Sequence, residues 1–264
     1  MKRAFLASTA LLTGLASAGA AWAGETACWY EQGVIVAPAS LAGLAGDYIL
    51  DTGAPTTLLH ETKAQGAGLP VAVLHGDVQI AGLALTDRPF TVVDLDARTW
   101  AFPTPIAGVI GADLLSGYVV DISFEPCTVA IYPRRKAPAF QAEASLPLRR
   151  GAVAATARAA VSDSSNALAG DFVIATGADT PVRIDTLLAS VPGATKPEDL
   201  LPYAEGRAEL RAASFAGELF ENLQGGLVKN DGQAVGVIGA PLLARWRLRF
   251  DFPAGRLLLR PAGG

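Results

Sequence analysis

The chain contains itself twice, and no other feature of the sequence constrains its fold as tightly. Leu44–Ala54 (LAGDYILDTGA) returns as Leu168–Ala178 (LAGDFVIATGA), with seven of eleven positions identical, three like-for-like and one chemical change, Asp51 to Ala175. Farther on, Gly108–Leu115 (GVIGADLL) returns as Gly236–Leu243 (GVIGAPLL). Order and spacing agree, since 57 residues separate Asp51 from Gly108 and 61 separate Ala175 from Gly236. Between these landmarks Ile80-Ala81-Gly82 is echoed by Phe215-Ala216-Gly217. Each copy closes on a strand pair, Tyr118–Phe124 with Thr128–Tyr132 and Arg247–Phe252 with Arg256–Arg260. Such a repeat implies two tandem units, each large enough to own a core and small enough to gain from a shared interface. We expect an N-terminal lobe over 24–140 and a C-terminal lobe over 141–264, joined through the charged, proline-flanked stretch Pro133–Pro138.

Both lobes read as mostly β. The 28 glycines and 17 prolines punctuate short apolar runs rich in Val, Ile and Leu, which suits strands better than a helical bundle. In the first lobe we expect strands at Gly33–Ala37, Asp47–Leu50, Val78–Leu85, Phe90–Asp94 and Tyr118–Phe124, and brief helices at Glu61–Gln65 and Ala112–Leu115. A chain 51% hydrophobic and only 17% charged must fold around a sizeable core, which excludes a disordered tail. Its formal charge is −4, with the basic residues spread out, so it offers no footprint for nucleic acid.

The first 23 residues read as an address. Lys2 and Arg3 precede an acid-free apolar stretch that ends in Ala21-Trp22-Ala23, the three-part pattern of a cleaved secretory signal. A membrane anchor is the rival, but Ser8, Thr9, Thr13, Gly14, Ser17 and Gly19 dilute the run below what a stable span needs. No later stretch is long and apolar enough to span a bilayer. Cleavage would leave a more acidic, exported product, periplasmic or extracellular. In an oxidising compartment Cys28 and Cys127 are more often a disulfide than a catalytic thiol, with two separate buried thiols as the alternative. His60 and His75 are the only histidines, and the spacing of the cysteines does not suit zinc, so no metal site is expected.

A strand of large apolar residues ending in Asp51-Thr52-Gly53-Ala54, with Gly108-Val109-Ile110-Gly111 opening a short helix farther on, resembles the aspartic proteases, specifically the retropepsin-like families of bacteria. The resemblance covers nearly all of the chain after the signal. It implies two pseudo-symmetric β-barrel lobes, a peptide or protein bound in the cleft between them, and no cofactor. Asp51 matches the family's catalytic aspartate. In that chemistry two carboxyl groups share one proton, one acting as base on water and the other as acid on the carbonyl oxygen. Gly53 lets backbone approach the carboxylate closely, and Thr52 resembles the residue whose hydroxyl grips the opposite lobe. Gly108 and Gly111, with their repeats Gly236 and Gly239, would let neighbouring chain pass tightly behind each loop.

The departures from the family matter as much. The second lobe presents Ala175 where a second aspartate would stand, while Thr176, Gly177 and Ala178 persist. Asp179 leaves that loop at a different place, and Asp163 and Asp171 belong to flanking segments. A hairpin flap has only Pro70–Asp77 available, with Val73–Asp77 at most a stub, while Val191–Gly206 could serve as a lid. Trp100 and Phe102 could line a wall of the cleft or cap the core. Three readings stay open: an endopeptidase whose second carboxylate comes from a homodimer pairing two Asp51 loops, a pseudoprotease that binds peptides without turnover, and a scaffold for a partner. Serine and cysteine chemistry are excluded, because there is no Gly-x-Ser-x-Gly elbow and just two histidines could act as base.

Overall fold

The structure, a computed structural model, describes residues 24–151, 154–162, 167–189, 209–229 and 234–263. The signal at 1–23, the lid at Val191–Gly206 and Asp163 lie outside the described residues. The first half runs β1 (Glu25–Ala27), β2 (Trp29–Glu31), β3 (Val34–Leu41), β4 (Leu44–Leu50), β5 (Leu58–His60), α1 (Glu61–Gly66), β6 (Val73–Ile80), β7 (Leu83–Val93), α2 (Asp96–Thr99), β8 (Ile106–Ile110), α3 (Ala112–Leu115), β9 (Val119–Phe124) and β10 (Cys127–Tyr132). The second runs β11 (Ala144–Pro147), β12 (Arg149–Arg150), β13 (Ala155–Ser162), β14 (Ala167–Ala175), β15 (Val182–Asp185), α4 (Thr186–Ala189), β16 (Glu209–Phe215), β17 (Glu218–Val228), β18 (Gly236–Gly239), α5 (Ala240–Leu243), β19 (Trp246–Asp251) and β20 (Arg256–Pro261).

The chain is mostly β, in two barrels of one design. The first is ordered β3-β4-β8-β5-β7-β6 and closes by pairing β6 with β3, and the second is ordered β13-β14-β18-β15-β17-β16 and closes by pairing β16 with β13. In both, the strand that ends at the repeated loop lies parallel to the Gly-Val-Ile strand, β4 with β8 and β14 with β18. Closure removes the exposed edges that an open sheet would leave.

Tight packing explains why glycine recurs in β8 and β18. A Cβ on Gly108 would stand 2.2 Å from Leu58 O and 2.9 Å from the Tyr48 ring, and one on Gly236 would stand 2.0 Å from Arg183 O and 3.0 Å from the Phe172 ring. Tyr48 and Phe172 occupy the same place in the repeat and are fully buried. Burial pushes the Tyr48 phenol well above its ordinary range, and its hydroxyl donates to Leu44 O at 2.7 Å, so the polar tip is satisfied inside the barrel.

A third sheet, ordered β1-β10-β9-β19-β20-β11, joins the lobes. Its centre is the antiparallel pairing of β9 with β19, in which Asp121 lies opposite Arg249. There the buried Arg249 guanidinium makes a two-pronged contact with the Asp121 carboxylate, Nε to Oδ1 at 2.5 Å and Nη2 to Oδ2 at 2.6 Å, and donates to Pro138 O at 2.6 Å. At the first-lobe end of this sheet Cys28 is bonded to Cys127, their Cα atoms 5.0 Å apart.

Two expectations about elements need correction. Val78–Leu85 is not one strand: Ala81-Gly82 turns the chain between β6 and β7. Ala81 and Gly82 both have positive φ, as do Gln32-Gly33, Ala42-Gly43 and Ala216-Gly217, the signature of a two-residue hairpin turn. The echoed Ala-Gly dipeptides are therefore matching turns. Nor is Val73–Asp77 the stub of a flap, because it is the outer part of β6 and pairs with β7, Val73 opposite Thr91.

Candidate functional site

The ends of β4 and β14 bring the two repeated loops face to face and bond them symmetrically. Thr52 Oγ1 donates to Ile174 O at 2.7 Å, and Thr176 Oγ1 donates to Leu50 O at 2.7 Å. Each hydroxyl also accepts from the other loop, Thr52 N to Thr176 Oγ1 at 3.1 Å and Thr176 N to Thr52 Oγ1 at 3.2 Å. Both threonines are fully buried. The lobes meet so closely here that a Cβ on Gly53 would stand 2.4 Å from Ala175 Cβ, and one on Gly177 would stand 2.4 Å from Asp51 Cγ. Residue 53 thus faces 175 as 177 faces 51, which is the pseudo-two-fold relation. The chain behind each loop is equally tight, with Gly111 against Thr56 O at 2.6 Å and Gly239 against Thr180 O at 2.1 Å by the same measure. Ala54 and Ala178 take matching parts, Ala54 O accepting from Ala112 N at 2.7 Å and Ala178 O from Ala240 N at 2.9 Å.

Asp51 is buried, 6% exposed, and its carboxylate is surrounded by donors. Oδ1 accepts from Gly53 N at 2.8 Å and from Gly177 N at 3.2 Å. Oδ2 takes the guanidinium of Arg98, Nη2 at 2.6 Å, and the same nitrogen donates to Gly177 O at 3.0 Å. Charged hydrogen bonds of this length are about twice as strong as neutral ones. Among the described residues no second carboxyl group is hydrogen-bonded to Asp51. Asp179 is engaged by Arg183 and by Thr180 Oγ1, and Asp171 pairs with Arg149 at 3.1 Å.

Arg98 is the candidate-site residue that sequence reasoning missed. It comes from α2, which packs through Leu95 against Val34, Val36, Ile49, Ala54, Ile106 and Val109. The turn is closed locally, Asp96 N donating to Asp94 Oδ1 at 2.7 Å and Thr99 Oγ1 to Leu95 O at 2.9 Å, so Arg98 leaves it toward the paired loops. The available signal was slight: Arg98 is the only basic residue between Asp94 and Gly108. Of the aromatics on this segment, Phe102 packs on the Leu95 cluster, whereas Trp100 is 72% exposed.

The aspartic proteinase from Irpex lacteus, a solved structure, superposes with a TM-score of 0.57 over 90% of this chain and 97% of that one. The fold is that of the aspartic proteinases. At 13% identity the likeness concerns the architecture alone. No family model matches the sequence, and no curated protein matches it. At matching positions of the paired loops the chain places one carboxylate, Asp51, and one methyl group, Ala175.

Proposed function

We propose that the chain is an exported, degenerate relative of the retropepsin-like aspartic proteases whose interlobe cleft binds peptide or protein segments without hydrolysing them. The observation that carries this reading is the state of the Asp51 carboxylate, which holds the Arg98 guanidinium on Oδ2 while the matching position of the opposite loop is Ala175, a methyl group. Amide hydrolysis by this architecture needs one carboxylate to take a proton from water and a second carboxyl to give one to the carbonyl oxygen. Ala175 can give none, and a guanidinium, charged at any working pH, cannot stand in as the acid. Arg98 also occupies the lone pair with which Asp51 would draw a proton from water.

Hydrolysis remains the alternative, and the intact loop geometry favours it, since residue 53 packs against 175 as residue 177 packs against 51. A homodimer pairing two Asp51 loops would supply the missing group. It would first have to open the threonine network that binds Asp51's loop to its own second lobe.

The test is an acidic pH series with a peptide library on the natural protein and on the Asp51→Asn, Ala175→Asp and Arg98→Ala/Ala175→Asp variants, with sedimentation reporting the assembly state. The expected result is peptide retained but uncut by the natural protein, and cleavage by the double variant alone. Cleavage by the natural protein, abolished in Asp51→Asn, would overturn the proposal. Neither cleavage nor retention would leave the scaffold reading.

A further inference from the structure

Arg98 carries more donors than the protein uses. Its Nη2 gives both hydrogens to the site, one to Asp51 Oδ2 at 2.6 Å and one to Gly177 O at 3.0 Å. The guanidinium therefore reaches from the first-lobe loop to the second. Nε and Nη1, which carry the rest of its N–H groups, have no acceptor among the described residues. Neither is sealed from water. The one buried side-chain polar atom without a partner among those residues is His60 Nδ1, and the Arg98 side chain is 32% exposed.

The bonded edge decides what the open edge can hold. A carboxylate is gripped by two parallel N–H groups, as Asp121 is gripped by Nε and Nη2 of Arg249. A guanidinium offers two such forks, Nε with Nη2 and Nη1 with Nη2, and both include the nitrogen that Arg98 has committed to Asp51 and Gly177 O. Charge acts in the same direction. Asp51 neutralises the guanidinium beside it, so an incoming carboxylate would lose its hydration against a pair with no net charge to attract it. A neutral carbonyl has less hydration to lose and needs only single N–H donors. Nη1 and Nε supply them at fixed positions, because the bonds to Asp51 and Gly177 O hold the guanidinium in place.

We propose that Arg98 sets the specificity of the cleft: its open Nη1 and Nε hydrogens hold neutral backbone or side-chain amide carbonyls of the bound segment, and the Asp51 charge behind it keeps carboxylates out of that place. The proposal rests on the reading of the cleft as a peptide-binding site and adds the chemistry that the cleft accepts. It also gives Asp51 a task that needs no second carboxyl group, which is to fix the guanidinium and cancel its charge.

The experiment measures binding of fluorescent octapeptides at neutral pH, in matched pairs made once with Gln or Asn and once with Glu or Asp at one position, all with C-terminal amides. The natural full chain is compared with Asp51→Asn and Arg98→Lys, and melting of each verifies the fold. Where the varied position meets Arg98, the natural protein should bind the neutral member about tenfold more tightly. Asp51→Asn removes the cancelling charge, so the preference should reverse toward the acidic member, and added salt should weaken the new preference. Arg98→Lys keeps a cation beside Asp51 without the planar array of donors, so neutral peptides should bind about tenfold more weakly. If one variant fails to fold, the other still decides. Peptides bound without discrimination within any pair, acidic members preferred by the natural protein, or a folded variant that binds as the natural protein does would each overturn this inference and leave the peptide-binding reading standing. No peptide bound by the folded natural protein would overturn both.

Discussion

The loops Asp51-Thr52-Gly53 and Ala175-Thr176-Gly177 are bonded alike and differ by one carboxylate. Their threonines exchange the same hydrogen bonds at nearly the same lengths, and each glycine admits the partner loop at the same closeness. The difference separates two jobs that one motif combines. Threonine and glycine hold the lobes together, whereas the aspartate is spare to that task and can be replaced by alanine without disturbing the geometry. On one side that position carries only a methyl group. On the other, Arg98 has come in from a first-lobe turn, and no second-lobe cation does the same for Ala175 among the described residues.

The largest test of the comparison is the bond that only the first lobe has. Cys28 and Cys127 are 99 residues apart, so their bridge should stabilise by about 4–5 kcal/mol in the chain-entropy model. In Cys28→Ser/Cys127→Ser, hydrogen exchange should show β1 and β10 losing protection while the second barrel keeps its own. Equal loss in both barrels would mean that the joining sheet makes one cooperative unit of them.

That joining sheet offers the next effect. Arg249→Ala should cost about 3 kcal/mol, because it strands the Asp121 carboxylate and the Pro138 carbonyl at the seam between the lobes. Denaturant unfolding should record it, and Arg249→Met combined with Asp121→Leu should recover much of the loss. A cost near zero would show that the seam is wet and that the lobes are held at the threonine network instead.

How much of this was legible in the sequence depended on the range of the interaction. The duplication, the helix at Ala112–Leu115 and the strand that ends at Asp51 could be read because each lies within one stretch of chain. The Ala81-Gly82 turn was missed because alanine rarely adopts positive φ, and only its echo at Ala216-Gly217 hinted at a structural role. Arg98 was invisible for a different reason. Its partner lies 47 positions away, and an arginine in a short polar turn looks like any solvated charge.

A smaller effect should come from the threonine network. Thr52→Val and Thr176→Val should each cost about 1–3 kcal/mol, the range for leaving buried partners unpaired. The two costs should be alike, because the bonds mirror each other, and the double variant should cost less than their sum, because both changes break the same bonds. Unequal single costs would mean that the charge beside Thr52 also supports the network.

The smallest effect bears on the asymmetry itself. Arg98 is 32% exposed along its side chain and Asp51 8%, so water screens one partner and not the other. Asp51 also keeps two backbone donors when Arg98 is removed. Its charge is therefore not stranded, and the penalty for breaking a buried pair does not apply in full. A double-mutant cycle of Arg98→Met with Asp51→Asn should give a coupling of about 1 kcal/mol, at the upper end for exposed pairs, and the coupling should shrink as salt is added. A coupling near zero would make Arg98 an ordinary surface charge and reduce the difference between the loops to the missing carboxylate. A coupling of about 3 kcal/mol or more would place the pair in a dry site. Admitting a peptide carbonyl to Asp51 would then require the α2 turn to move first, and ligand binding would be slower than diffusion allows.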